Sequence, residues 1–252
     1  MTSIILCGCG GRMGKTITAY AKNEYDIVAG VDINASELSA ACSFPVYENI
    51  SDFPGKADVI IDFSHHSALP ALVSYAKKTH TPLVIATTGH TEEELKLMRD
   101  AATEVAVFSS GNFSIGINLI IDLAAQAAKT LGVDFDVEII EKHHNQKLDA
   151  PSGTALMIAN SIADVREESE YVYDRHTERK VRETKEIGIH SVRGGTIVGE
   201  HEVIFAGTNE VVTISHSAAS REIFATGALR AAAYLAKKET GSYNMSDLIS
   251  GK

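Results

Sequence analysis

The densest chemistry in this 252-residue sequence lies in one run: Glu141-Lys142-His143-His144-Asn145-Gln146-Lys147-Leu148-Asp149-Ala150-Pro151-Ser152-Gly153-Thr154-Ala155. An apolar strand pattern ends in two histidines, and a short polar loop then leads into a helix start. Adjacent side chains on a strand point to opposite faces, so His143 and His144 can hold different jobs. One of them suits a proton donor near neutral pH, with Lys147 as a cation for a carboxylate or as a second acid. The helix opened by Pro151 and Ser152 offers the N–H groups of Gly153 and Thr154 to a carboxylate. Two rival readings use the same residues. Glu141, His143 and His144 are capable metal ligands, but no HxxxH or HExxH spacing accompanies them, so no metal is expected. The histidines can also simply cap the loop. The isolated His65, His80, His176, His190 and His216 read as surface or core fillers.

A second constellation sits at the start of the chain. An apolar run, residues 3–7, enters Gly8-Cys9-Gly10-Gly11-Arg12-Met13-Gly14 and then a helical pattern. Glycine permits the tight turn and lets backbone N–H groups approach a pyrophosphate, and the helix N-terminus adds its dipole. The next apolar run closes on Asp32, about 20 residues on, where a carboxylate accepts the hydroxyls of an adenosine ribose. The order strand, glycine turn, helix, strand, acid predicts dinucleotide binding, whereas a glycine cluster alone often serves only packing. Asp32 repels a 2′-phosphate, and Ile33 and Asn34 supply no guanidinium, which favours NADH over NADPH. Arg12 is the counter-signal. Two more strand ends, Ala86-Thr87-Thr88-Gly89 and Ser109-Ser110-Gly111-Asn112, are expected to face the same crevice and to hold the nicotinamide and its ribose.

The positioning elements follow from periodicity. Buried parallel strands are expected at 3–7, 27–31, 59–63, 83–86 and 105–108, separated by helices at 12–23, 67–78 and 92–103. Residues 34–54 give no regular pattern. This alternation implies right-handed crossovers and an α/β, Rossmann-type doubly wound parallel sheet. A C-terminal α+β domain with an open mixed sheet follows. Its pattern reads helix 115–131, strand 135–141, helix 152–165, a charged stretch 166–185 expected to be a solvated, mobile loop, and strands 187–193, 197–205 and 210–217. Gly194-Gly195 and Gly207-Thr208-Asn209 are turn chemistry, so these three strands are expected to pair as an antiparallel meander. A last helix, 222–238, is expected to return to the first domain. The domains therefore read as 1–113, completed by 222–252, for the dinucleotide, and 114–221 for substrate and oligomerisation.

Composition excludes several classes of function. The net charge is −10, from 23 basic and 33 acidic residues, and no basic stripe offsets it, so no nucleic-acid partner is expected. No run approaches the roughly 18 apolar residues of a membrane span. The three cysteines, Cys7, Cys9 and Cys42, form no paired framework, and the N-terminus lacks a signal-peptide pattern. The cytoplasm is the expected compartment.

EKHHNQKLDAPSGTA, taken with GCGGRMG, ATTG at 86–89, SSGNFSIGIN at 109–118, HSVRGGTIVGEHEVIFAG at 190–207 and SREIFATGALRAAAYL at 220–235, resembles the bacterial dihydrodipicolinate reductases. These are the 4-hydroxy-tetrahydrodipicolinate reductases of lysine and diaminopimelate synthesis, and the likeness covers essentially the whole chain. It implies NADH and/or NADPH as cofactor and a small cyclic imine dicarboxylate as substrate. By the same resemblance, His143 is the general acid and Lys147 a proton donor. His144, Gly153 and Thr154 contact substrate. The cofactor contacts are Gly8, Cys9, Gly10, Gly11, Arg12, Met13, Asp32, Ala86, Thr87, Thr88, Ser109, Ser110, Gly111 and Asn112. The resemblance further implies a homotetramer and domains that close around the ligands. Many relatives carry arginine after the strand-end acid where this chain has Ile33, so dual cofactor use or an NADH bias is expected. Another two-domain Rossmann dehydrogenase would leave the histidine–lysine run unused, and a silent NAD(H)-binding sensor would not need it.

Overall fold

The computed structural model describes residues 1–22, 24–177 and 179–251. In chain order the elements are β1 (Thr2–Cys7), α1 (Arg12–Tyr20), β2 (Tyr25–Val31), α2 (Ala35–Leu38), β3 (Val46–Tyr47), β4 (Val59–Asp62), α3 (Leu69–Thr79), β5 (Leu83–Ile85), α4 (Glu92–Ala101) and β6 (Ala106–Ser109). Then come α5 (Ile115–Leu131), β7 (Asp136–His143), α6 (Gly153–Ala163), β8 (Glu170–Val172), β9 (Glu186–Arg193), β10 (Gly199–Ala206) and β11 (Val211–Ala218). The chain closes with α7 (Glu222–Leu235), β12 (Gly241–Tyr243) and α8 (Met245–Ser250). Two compact units result, Met1–Ser114 with Glu222–Lys252, and Ile115–Arg221. Asn23 at the end of the first expected helix, Glu178 in the charged stretch and Lys252 at the C-terminus lie outside the described residues.

The first unit is a seven-stranded sheet ordered β12-β6-β5-β4-β1-β2-β3. Each neighbouring pair is parallel. Both sheet faces are covered, which is why the strands are continuous apolar runs rather than alternating ones. Ile5, Ile60, Leu83, Ile85 and Val107 pack with α3 and α4 in one cluster, while α7 lies against β1, β4, β5, β6 and α1. Chain order reverses between β1 and β4, which are paired with Cys7 beside Asp62. Their C-terminal ends therefore frame the crevice at which such sheets bind ligands. Residues 34–54, without a pattern in sequence, hold the short α2 and β3.

The second unit is a five-stranded mixed sheet ordered β11-β10-β7-β9-β8. Helices α5 and α6 pack on one face of it, around Val137, Ile139, Ile187, Val203 and Phe205. Two expectations need correction here. The meander forms only in part: β10 and β11 pair antiparallel as expected, but β9 and β10 are not neighbours, because β7 lies between them, parallel to β9 and antiparallel to β10. The buried, alternating β7 needs a partner on both edges, and the Gly194-Gly195 link serves that by crossing the end of β7. Gly194 N–H donates to His143 O at 2.9 Å, and Asn145 N–H donates to Gly195 O at 3.2 Å. Nor is the charged stretch 166–185 a loosely solvated loop. It contains the edge strand β8, and its arginines are bound: Arg182 to Asp136 and Glu138, Arg175 to Glu138 and Glu186. The carboxylates on the outward side of β7 and at the start of β9 recruit it. Among the described residues no helix is long and apolar enough to cross a membrane.

Candidate active site

In the second unit, the alternation of β7 turns Glu141 and His143 to the same buried face. Glu141 is fully buried and accepts two hydrogen bonds from Arg193, at 2.7 and 2.8 Å, one from His143 Nδ1 at 2.6 Å and one from Ser152 N–H at 3.1 Å. Burial pushes its carboxyl upward, but the bonds from Arg193, Ser191 and His143 prevail and hold it at about 2. It is therefore ionised across the working range. Burial lowers the pKa of His143, Lys147 and Arg193 lower it further, and Glu141 opposes them. Behind it, His201 lies edge-on at 5.3 Å between ring centroids. Burial, with His143 adding to it, pushes His201 down to about 4, so it is neutral.

The loop after β7 carries Lys147, whose ammonium sits 2.9 Å from Asp149 Oδ1. His144 Nδ1 accepts from Gln146 N–H at 3.2 Å, and its Nε2 lies 3.3 Å from Arg221. Ser152 caps α6 by accepting from Ala155 N–H at 3.1 Å. Gly153 and Thr154 are the first two residues of that helix, and the space in front of Gly153 is open. An imidazole, an ammonium and a helix N-terminus thus all derive from one short segment.

In the first unit, Gly8 adopts φ +75, and a Cβ there would lie 2.5 Å from Phe63 O. Only glycine lets β1 turn this close to the end of β4. Gly11 starts α1 without a side-chain cap, and no acidic residue occupies the first turn. That leaves the first-turn donors and the positive end of the dipole for an anion. Asp32 is aimed by two backbone donors, Gly10 N–H to Oδ2 at 2.9 Å and Asn34 N–H to Oδ1 at 3.0 Å. A cleft of about 460 Å³ runs past Gly8, Gly10, Gly11, Asp32, Ile33 and Phe63. A second, of about 450 Å³, is lined by Thr87, Thr88, Gly89, Ser109, Ser110 and Gly111. A glycine cradle, an uncapped helix start and an oriented carboxylate fit a nicotinamide dinucleotide.

The sequence profile described as dihydrodipicolinate reductase, N-terminus, matches residues 2–113, and the one described as dihydrodipicolinate reductase, C-terminus, matches residues 116–249. The chain belongs to the dihydrodipicolinate reductase family. It is 55% identical to the 4-hydroxy-tetrahydrodipicolinate reductase of Caldanaerobacter subterraneus subsp. tengcongensis, over 99% of this chain and 98% of that one. The corresponding enzyme of Clostridium tetani is 49% identical over 99% and 97%. Among solved structures, the dipicolinate-bound dihydrodipicolinate reductase of Paenisporosarcina sp. TG-14 superposes with a TM-score of 0.78 at 28% identity, covering 97% of each chain.

For a reductase of this family, the expected site residues fall into groups. His143, His144, Lys147, Gly153 and Thr154 follow one another along the end of β7, its loop and the start of α6. Gly8, Gly10, Gly11 and Asp32 line the first cleft, and Thr87, Thr88, Ser109, Ser110 and Gly111 line the second. Cys9, Arg12, Met13, Ala86 and Asn112 lie outside both linings. Cys9 is buried under the glycine loop, and burial, with Asp32 and Cys42 adding to it, pushes its thiol up to about 11. Asn112 is mostly buried, and its Oδ1 accepts from Ser114 N–H at 2.8 Å. Arg12 is exposed at the start of α1.

Sequence reasoning passed over the end of β4. Phe63, Ser64 and His65 line the first cleft, and the buried Asp62 accepts from Thr87 Oγ1 at 2.8 Å. The rule that ligands gather at the carboxyl ends of parallel strands, applied to residues 59–63, carried that signal. It also passed over Arg193 and His201, which reach the site from other strands.

Proposed function

We propose that this chain is a 4-hydroxy-tetrahydrodipicolinate reductase. It converts (2S,4S)-4-hydroxy-2,3,4,5-tetrahydrodipicolinate to (S)-2,3,4,5-tetrahydrodipicolinate with loss of water, in lysine and diaminopimelate synthesis. The observation that carries the reading is the joint placement of His143, Lys147 and the N-terminus of α6 on one segment, around a buried, ionised Glu141. A dianionic ring needs fixed positive charge inside a chain of net charge −10.

Bound NADH or NADPH, held by the glycine loop, Asp32 and the 87–88 and 109–111 segments, supplies the hydride. The remaining work belongs to side chains of the second unit. The first-turn N–H groups of α6 at Gly153 and Thr154 receive one carboxylate, and His144 contacts the ring substituents. Lys147 neutralises charge and serves as a second acid. His143, charged and protonated at both nitrogens before the step, gives its Nε2 proton to the enamine carbon left after reduction and becomes neutral, with its Nδ1–H still donated to Glu141. Positioning of this kind removes much of the entropic barrier.

The reading extends to a cytoplasmic homotetramer. Three unpaired cysteines agree with a reducing compartment; among the described residues helices cover one face of the five-stranded sheet, and the part of the other face not occupied by Arg175 and Arg182 is the surface proposed for assembly. In a test of the assigned roles, His143→Gln and Lys147→Ala are each expected to lower turnover by roughly 10²-fold or more, with dinucleotide affinity by fluorescence titration unchanged. Normal turnover in both variants would refute these roles.

A further inference from the structure

The proposed chemistry uses Glu141 only as the acceptor of one hydrogen bond from His143, yet its carboxylate is the point on which the site converges. Two Arg193 nitrogens, His143 Nδ1 and Ser152 N–H all bond to it. Register explains the convergence. Ser191 and Arg193 on β9 lie beside Glu141 and His143, and His201 on β10 lies opposite Glu141. A buried carboxylate that binds this many donors is costly to install, because each charge taken from water must be repaid by its contacts. Salt-bridge stability is a weak reason for such an arrangement; orientation of a neighbouring acid is a stronger one.

We propose that Glu141 is the positioning residue of this site: it holds His143 with Nδ1 protonated and Nε2 presented, and anchors the start of α6 to the same carboxylate. The proton donor and the carboxylate cradle are thereby set by one group. This inference rests on the reductase reading. Three features support it. The 2.6 Å contact between Nδ1 and Glu141 Oε2 requires a proton between the two atoms. Arg193 keeps Glu141 ionised, so the shared proton stays on the imidazole. Gly199 lies at the other edge of the ring, where a Cβ would sit 3.1 Å from Nε2, so the missing side chain leaves that edge uncovered. The charged and titratable groups facing His143 are Glu141 on its own strand, Arg193 from β9, His201 from β10 and Lys147 from the following loop. Of these, Glu141 alone favours the imidazolium.

The test pairs a variant with a measurement on the intact protein. Glu141→Gln keeps the shape and removes the charge. The expected result is a kcat lower by about 10²-fold, with the basic limb of the kcat–pH profile displaced by about one unit to lower pH. Substrate KM should rise several-fold as the Ser152 turn loses its anchor, with dinucleotide affinity unchanged. A fall in kcat with no displacement of the limb would show a merely structural role and overturn the proposal, as would unchanged kcat. If the variant does not fold, ¹⁵N-histidine NMR of the native chain, assigned by the signal missing in His143→Gln, decides instead. Neutral His143 protonated at Nδ1 supports the proposal, and protonation at Nε2 overturns it. Failure of the native protein to reduce the substrate would reject the reductase reading, while the tautomer would still report on Glu141 and His143.

Discussion

Replacing Arg193 by Met removes two guanidinium hydrogen bonds to Glu141 and those to the Asp149 and Val192 carbonyls, while keeping most of the stem. The carboxylate left behind is fully buried, and breaking a buried pair from one side costs about 3–5 kcal/mol. The pKa gives a second estimate. Depression from 4.5 to about 2, shared among Arg193, Ser191 and His143 with Arg193 first, bounds the pH-linked part at roughly 3 kcal/mol. Solvent screening where Arg193 is partly exposed trims this to about 2 kcal/mol. The expected loss is therefore about 2–5 kcal/mol at pH 7. Its sign with pH is fixed. A depressed carboxylate contributes stability that is present above its unfolded value and lost as pH falls through its folded one. In the variant, Glu141 takes up a proton at higher pH than in the native chain, so the deficit narrows on acidification. Urea unfolding followed by circular dichroism at pH 7 and pH 4.5 reads both quantities. A deficit below about 1 kcal/mol at pH 7, or one of equal size at both pH values, would refute the reasoning.

Two further perturbations address the nucleotide clefts. Ile33 is 85% exposed beside Asp32, so Ile33→Arg adds a guanidinium where a 2′-phosphate would lie. The NADPH:NADH ratio of kcat/KM should rise about tenfold, the worth of one charged hydrogen bond; an unchanged ratio would place residue 33 away from the ribose. Gly14→Ala puts a Cβ 2.3 Å from Gly8 O and 2.6 Å from the Cys9 backbone, which forces α1 off the loop. Stability should fall by about 1–3 kcal/mol and NADH affinity by calorimetry should weaken at least tenfold; native affinity would contradict a phosphate-cradling loop.

Much of the fold was legible because its signals are local. Apolar runs such as Val59-Ile60-Ile61 read as covered parallel strands, and the glycine turn with Asp32 placed the crevice. Edge strands of two or three residues, β3 and β12, are too short to make a pattern. The meander broke at β9 for a different reason: Gly194-Gly195 marks a turn, but turn chemistry cannot say that β7 will lie between the strands it joins. The charged stretch misled because solvation and ion pairing look alike in composition. Arg182 differs from a solvated arginine by the acids of β7 and the backbone carbonyls that it meets in space. At the site, the residues of the 141–155 run were readable together because they are contiguous. Arg193 and His201 were not, since they approach Glu141 and His143 only through sheet register.

The most direct test of the central claim is a coupled assay. The upstream synthase generates the unstable substrate from pyruvate and aspartate semialdehyde, and NADH or NADPH absorbance is followed on adding this protein. The expected result is substrate-dependent oxidation of at least one cofactor, with NADH used at least as well as NADPH because Ile33 follows Asp32. No oxidation of either, with dinucleotide binding intact, would contradict the reductase account.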